Sequence, residues 1–202
     1  HTLACDDLAA LAAALAAFDV LLRAPPTECV RLLLTRAEEI GFVGAIGACR
    51  HATIPRGSRL IALENSRAFA DSPIGAGPIV RVGDRLSIFS PALTAAIARR
   101  AEEHASSNPG WKWQRKLMAG GACEASVFCQ AGFQATCVCL PLGNYHNMGD
   151  LDAVQAGTNT TPPRVARECI GLSDFEGLVD LLIACGERLG AGPSLTDRFD
   201  KL

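Results

Sequence analysis

Aromatic side chains are scarce in this sequence: eight Phe, two Trp and one Tyr among 202 residues. So few stacking platforms argue against a protein that reads single-stranded nucleic acid by base stacking. A basic excess is missing as well. Nineteen Lys and Arg stand against 21 Asp and Glu, a net charge of -2, which gives neither nucleic acid nor an anionic membrane a surface to bind. No stretch reaches the roughly 20 apolar residues of a membrane span. The most apolar run, residues 8–22, is Ala-rich and broken by Asp19, so it reads as a packed helix. The nine cysteines include no Cys-x-x-Cys pair, which removes the usual signature of a structural zinc knuckle. An odd number of cysteines in a chain long enough to build a core points to reduced, mostly buried thiols and a cytoplasmic location. No signal peptide is visible. The chain starts at His1 rather than a methionine, and a missing upstream segment is expected.

What is present is an alternation of elements. Asp6 and Asp7 precede a helical run over residues 8–23, where either can cap the helix or sit at its positive end; Pro25-Pro26 stops it. The spacing predicts buried strands over residues 29–35 and 59–63, the second ending at Glu64, with a short helix from Gly41 to Ala48 between them. A glycine-rich GAGP loop at residues 75–78 leads to short strands at 79–82 and 86–89. Pro91 opens a helix to about Ser106, Asn108-Pro109-Gly110 makes a turn, and a strand is expected over 111–117. Gly120-Gly121 precedes a helix over 123–131, and residues 134–140 form another strand on which Cys137 and Cys139 share a face. Residues 157–163 read as a polar loop. The last helix covers 172–189, with Ser173 and Glu176 forming a capping box. Alternating strands and helices argue for one α/β domain over residues 1–202, three layers with a largely parallel, mixed central sheet.

In open α/β sheets, sites gather beyond the carboxyl ends of strands. Asp6, Glu38-Glu39, Glu64 and His146 fall at such places. Taken singly, each has an ordinary reading: a helix cap, a solvated pair, a strand-end carboxylate with a partner, a surface imidazole. Taken together, carboxylates and an imidazole suit zinc, or manganese or cobalt less selectively. Two metals about 3.5–4 Å apart need a bridging carboxylate and a few further ligands each. The adjacent pair Glu38-Glu39 suits a division of labour, one binding metal and the other free to carry a proton, because a ligated carboxylate has already used its lone pair.

Three segments carry a family resemblance. LACDDLAALAAALAAFDVL resembles the bridging-aspartate helix of the two-zinc aminopeptidases that include the tetrahedral and deblocking enzymes of prokaryotes. LLLTRAEEIGFVGAIGA resembles their catalytic segment. GGACEASVFCQAGFQATCVCLPLGNYHNMG resembles their glycine-rich turn, helix, strand and final ligand histidine. The resemblance implies a zinc-exopeptidase-like fold and a two-Zn2+ site, with Co2+ or Mn2+ as substitutes. Asp6 would bridge both metals, Glu39 and His146 would complete one, and Glu64 would bind the other. Glu38 would be the general base and acid, and Gly120 and Gly121 would offer backbone N–H groups to substrate or simply close a tight turn.

By the same resemblance the chain is the N-terminally truncated catalytic portion of an enzyme acting on peptides, a homo-oligomer at full length. The family's upstream His-x-Asp motif is absent, and His1, His51 and His104 match no ligand position. Glu64 and Glu124 stand where relatives often carry aspartate. The same constellation also serves zinc amidohydrolases of N-acylated amino acids, and a non-catalytic member of the fold is the third alternative.

Overall fold

The structure, a computed structural model, describes residues 1–23 and 29–192. The expected helix stop at Pro25-Pro26 lies outside them. Six helices and four strands are placed: α1 (Cys5–Arg23), α2 (Val43–Arg50), β1 (Arg59–Arg67), β2 (Ile79–Asp84), α3 (Pro91–Ser107), β3 (Gln114–Met118), α4 (Glu124–Gln130), β4 (Gln134–Leu142), α5 (Leu151–Ala156) and α6 (Leu172–Arg188). A single 3-10 turn, Tyr145–Asn147, follows β4.

The sheet order is β1-β4-β2-β3. β1 and β4 are parallel, as are β2 and β3, while β2 meets β4 antiparallel. All of β4 after Gln134 is buried, as befits a central strand covered on both faces. Its side chains alternate between two cores. Val138 and Leu140 face α1, α3 and α6 together with Val80, Leu93, Ile97, Leu178 and Leu181. Cys137 and Cys139 face the other way, with Ala62, Ile79, Phe89 and Cys123, and Ala135 continues that layer to α2 and α4 through Ala45, Ala48 and Phe128. The result is the three-layer α/β arrangement with a mixed, mostly parallel sheet. On α1, Ala10, Ala13, Ala14, Ala17 and Leu21 are buried, an apolar stripe at helical spacing. Its small residues let α1 lie close to α6, where a Cβ on Gly186 would strike Leu21.

Several expectations need correction. Residues 29–35 form no strand. Leu33 and Leu34 are exposed, and no described strand runs beside them; an apolar run becomes a strand only where its N–H and C=O groups find a ladder. β1 does not end at Glu64 but continues to Arg67, because the polar Asn65 and Ser66 are themselves buried and paired to β4. Residues 86–89 make only an isolated bridge from Ile88 to Gly83. Asp84 Oδ1 takes the N–H groups of Leu86 and Ser87, so the chain turns there instead of extending. Ser173 does not cap α6. Gly171 stands at the N-cap without a side-chain bond, and the fully buried Asp174 reaches across to accept from Gly75 N at 2.7 Å and Gly77 N at 2.7 Å. That carboxylate pins the GAGP loop, where Gly77 has φ +90° and a Cβ would run into the Lys112 carbonyl.

Candidate metal centre

Asp6 lies where α1 is not yet helical, at φ -85° and ψ 106°, and the Asp6-Asp7 peptide is cis. Its side chain is 8% exposed. Two groups of potential ligand atoms share it: Asp6 with Glu39 and His146, and Asp6 with Asp7 and Glu64. Within each group one donor atom per residue lies within 4.8 Å of the others. His146 Nε2 is 3.9 Å from Asp6 Oδ2 and 4.0 Å from Glu39 Oε2. Glu39 and His146 form the open rim, while Asp6 and Glu64 form the floor. Glu38 belongs to neither group, and its carbonyl accepts from Gly41 N and Phe42 N, which fixes the tight turn that presents both glutamates.

Distant parts of the chain hold these side chains. Asn65, buried beside Glu64, donates from Nδ2 to Asp7 Oδ1 and to the Cys5 carbonyl, both at 2.8 Å. Asp7 is exposed as a residue, yet its carboxyl turns inward to that amide. Asp6 N donates to Glu168 Oε2 at 3.0 Å. The Tyr145 ring stacks on His146 at 3.9 Å, with 20° between the planes. Asn65 and Glu168 carry no flag in the sequence, since each acts through a partner far along the chain; Tyr145 carries none because stacking on its neighbour His146 is set by the fold of the turn.

The acids raise one another. Burial first, then Glu39, pushes Asp6 up to about 6. Burial of the inward carboxyl, then Asp6 and Glu38, pushes Asp7 up to about 8. Burial, then Glu39 and Glu124, pushes Glu38 up to about 7, and burial, then Asp6, lifts Glu64 well above the carboxylate range. Burial, then Asp6, Glu64 and Glu39, raises the Tyr145 hydroxyl to about 12. The buried Arg81 opposes this, pulling Glu38, Glu64 and Tyr145 down. Its Nη2 donates to Ser66 Oγ, while Nε and Nη1 have no partner among the described residues.

A carboxylate cluster of this density is costly unless cations neutralise it. Carboxylate oxygens with one imidazole are a donor set that fits zinc, cobalt or manganese, and Asp6 is common to both groups. The remaining predicted residues, Gly120 and Gly121, lie in the turn ahead of α4. Gly121 O accepts from Arg85 N at 2.8 Å. The structure ties neither glycine to the cluster. Beyond the ends of the parallel strands β1 and β4, next to Tyr145, an open cavity of about 380 Å³ is lined by Arg67, Leu142, Asn144 and Asp152 among others.

A family model described as M42 glutamyl aminopeptidase matches residues 2–159. The chain belongs to the M42 family. No curated protein matches it. Among solved structures, the dodecameric PhTET1-12s superposes with a TM-score of 0.69 at 23% identity, over 91% of this chain and 49% of that one. Aminopeptidase APDkam598 from the archaeon Desulfurococcus kamchatkensis gives 0.67 at 18%, over 91% and 47%. An M18-family aminopeptidase from Thermotoga maritima gives 0.61 at 18%, over 90% and 44%. At these identities the likeness establishes the fold, and the chain spans about half the length of these structures.

Proposed function

We propose that this chain carries the metal centre of an aminopeptidase that removes N-terminal residues from peptides using two divalent cations, zinc by preference. The observation that carries the reading is the sharing of Asp6 between two ligand groups. We assign Asp6 as the bridging ligand, Glu39 and His146 to one cation, and Glu64 to the other. Bound there, the cations would polarise the scissile carbonyl and lower the pKa of a water towards about 7. The chain's own part is proton handling and positioning. Glu38, outside both ligand groups and held near 7, takes the proton of the attacking water and hands it to the leaving amine. A group with a pKa near the working pH is suited to both transfers. Gly120 and Gly121 are assigned to substrate contact through their N–H groups, and the cavity beside Tyr145 to the substrate side chain.

Residues 1–202 are read as one catalytic domain within a longer protein. We extend to it the homo-oligomeric habit of the dodecameric PhTET1-12s. Nine free cysteines suit a reducing compartment such as the cytoplasm. Among the described residues, no helix is long and apolar enough to cross a membrane.

The test is a zinc titration of the full-length protein and its variants. Glu39→Ala and His146→Ala should weaken zinc binding. Glu38→Gln should keep zinc and lose about 10²–10⁴-fold in turnover of an aminoacyl-anilide. Unchanged zinc affinity in the first two variants would remove the ligand assignment, and retained turnover in the third would remove the proton carrier. Turnover of N-acetyl amino acids instead of aminoacyl-anilides would favour the amidohydrolase.

A further inference from the structure

Asp6 and His146 are 140 residues apart, and each has backbone torsions that depart from the helical turn it sits in. Asp6 has non-helical torsions at the start of α1. His146 sits in a loop where it and its neighbours Asn144 and Asn147 all have left-handed backbone, at φ 54°, 52° and 59°. Non-glycine residues stay in that region only where their surroundings over-determine it. One segment supplies those surroundings to both ligands. Residues 164–169 run as a strap beside the His146 loop. Gly143 N donates to Cys169 O at 2.8 Å, Ala166 N to Asn147 O at 2.8 Å, and Gly149 N to Arg164 O at 3.0 Å. Asn144 Nδ2 donates to Arg167 O at 2.8 Å. Asn147 Nδ2 reaches both Ala166 O at 3.3 Å and Leu3 O at 3.1 Å.

The same strap holds the other ligand. Thr2 N donates to Glu168 O at 3.0 Å, and Asp6 N donates to Glu168 Oε2 at 3.0 Å. The Asp6 N–H is one of the first-turn donors that a helix leaves without an internal partner. Glu168 is 2% exposed, so the acceptor belongs to the interior of the fold and the bond is not a surface contact.

We propose that Glu168 is a positioning residue for the metal pair, and that through it the strap sets the separation of Asp6 from His146. The inference rests on the assignment of those two residues as ligands. Metal ligands separated by most of a domain need a common brace, because a donor set displaced by a fraction of an ångström loses affinity. Partners that orient ligands are typically worth about 10–100-fold in metal affinity or activity.

The experiment is zinc affinity of the full-length protein, measured by competition with a chromophoric chelator, with the visible spectrum of the Co2+ form as a second readout. Glu168→Ala removes the acceptor and should lower zinc affinity about 10–100-fold and shift the Co2+ bands. Glu168→Gln keeps an oxygen of the same reach and should restore most of that loss. If Glu168→Ala does not fold, Glu168→Asp decides: it keeps the charge, withdraws the acceptor by one methylene and should bind zinc as weakly as expected for alanine. Wild-type affinity and an unshifted Co2+ spectrum in the aspartate variant, or a glutamine variant as weak as alanine, would overturn the positioning role. Glu39→Ala and His146→Ala separate the two ideas. If they weaken zinc and the Glu168 variants do not, only the brace fails; if they too leave zinc unaffected, the ligand assignment fails and takes the brace with it.

Discussion

Zinc binding by the full-length protein should release protons and strengthen with pH until about pH 8. Ligand carboxylates must be ionised to bind, and a cation lowers the pKa of the acids beside it, so protons held by the cluster in the metal-free state are displaced. In the metal-free fold Asp6 holds its proton to about 6, Glu38 to about 7 and Asp7 to about 8, and burial, then Asp6, lifts Glu64 above the usual carboxylate range. At pH 7 Asp6 is mostly ionised, Glu38 is half-titrated and Asp7 still carries its proton. Binding should therefore expel about one to two protons, and each one displaced makes affinity rise roughly tenfold per pH unit. Below pH 6 Asp6 adds its own proton and the slope steepens. The same shifts set the stability of the metal-free protein. These carboxyls have folded pKa values above their unfolded ones, so the folded state keeps protons that the unfolded chain gives up. Their contribution is whole below about pH 4 and is lost as pH rises through 6 to 8. Zinc restores stability in that window, by about 2.7 kcal/mol at a free concentration one hundred times Kd. Isothermal titration calorimetry in two buffers of different ionisation enthalpy reads the proton count directly. Equal apparent enthalpies in both buffers at pH 7, with affinity flat from pH 6 to 8, would mean that zinc displaces no protons from this cluster.

Two further expectations concern the frame around the site. Asp174→Ala should destabilise the fold by about 1–3 kcal/mol in urea denaturation, because it leaves the buried N–H of Gly77 without an acceptor and releases the part-buried N–H of Gly75; Asp174→Asn, which keeps one oxygen, should lose less, and equal losses would show that charge matters more than the paired bonds. Leu178→Ala removes a fully buried side chain from the core between α6 and the sheet and should cost about 2–5 kcal/mol, lowering Tm by several degrees in a thermal scan with no change in zinc affinity at temperatures where it is folded.

The layered fold was legible because its signals are local. Ala10, Ala13, Ala14, Ala17 and Leu21 repeat at helical spacing, Pro91 marks the start of α3, and the alternation on β4 follows from period two. Where local signals failed, a partner decided. Residues 29–35 have the hydropathy of a buried strand, but hydropathy does not supply a ladder. Ser173 and Glu176 have the spacing of a capping box, but the apolar face of α6 and the two glycine N–H groups across the gap put Asp174 inside instead.

The candidate site divides along the same line. Asp6, Glu39, Glu64 and His146 could be picked out because side chains able to hold a metal stand beside apolar elements, where a polar group is conspicuous. Asn65 and Glu168 could not. Asn65 sits in a strand that looked finished at Glu64, and Glu168 sits between Arg167 and Cys169 in a segment with no periodicity. Their signal is the burial of a polar group, 2% exposure in each case, and burial is decided only once the chain has folded. A buried carboxyl group must meet donors or cations, and Glu168 meets one of the backbone N–H groups that α1 cannot use, on the residue that both groups share. Sequence therefore points to side chains that can touch a metal, whereas the residues that aim them become visible only as buried polar groups bonded to the segment that carries Asp6 and Asp7.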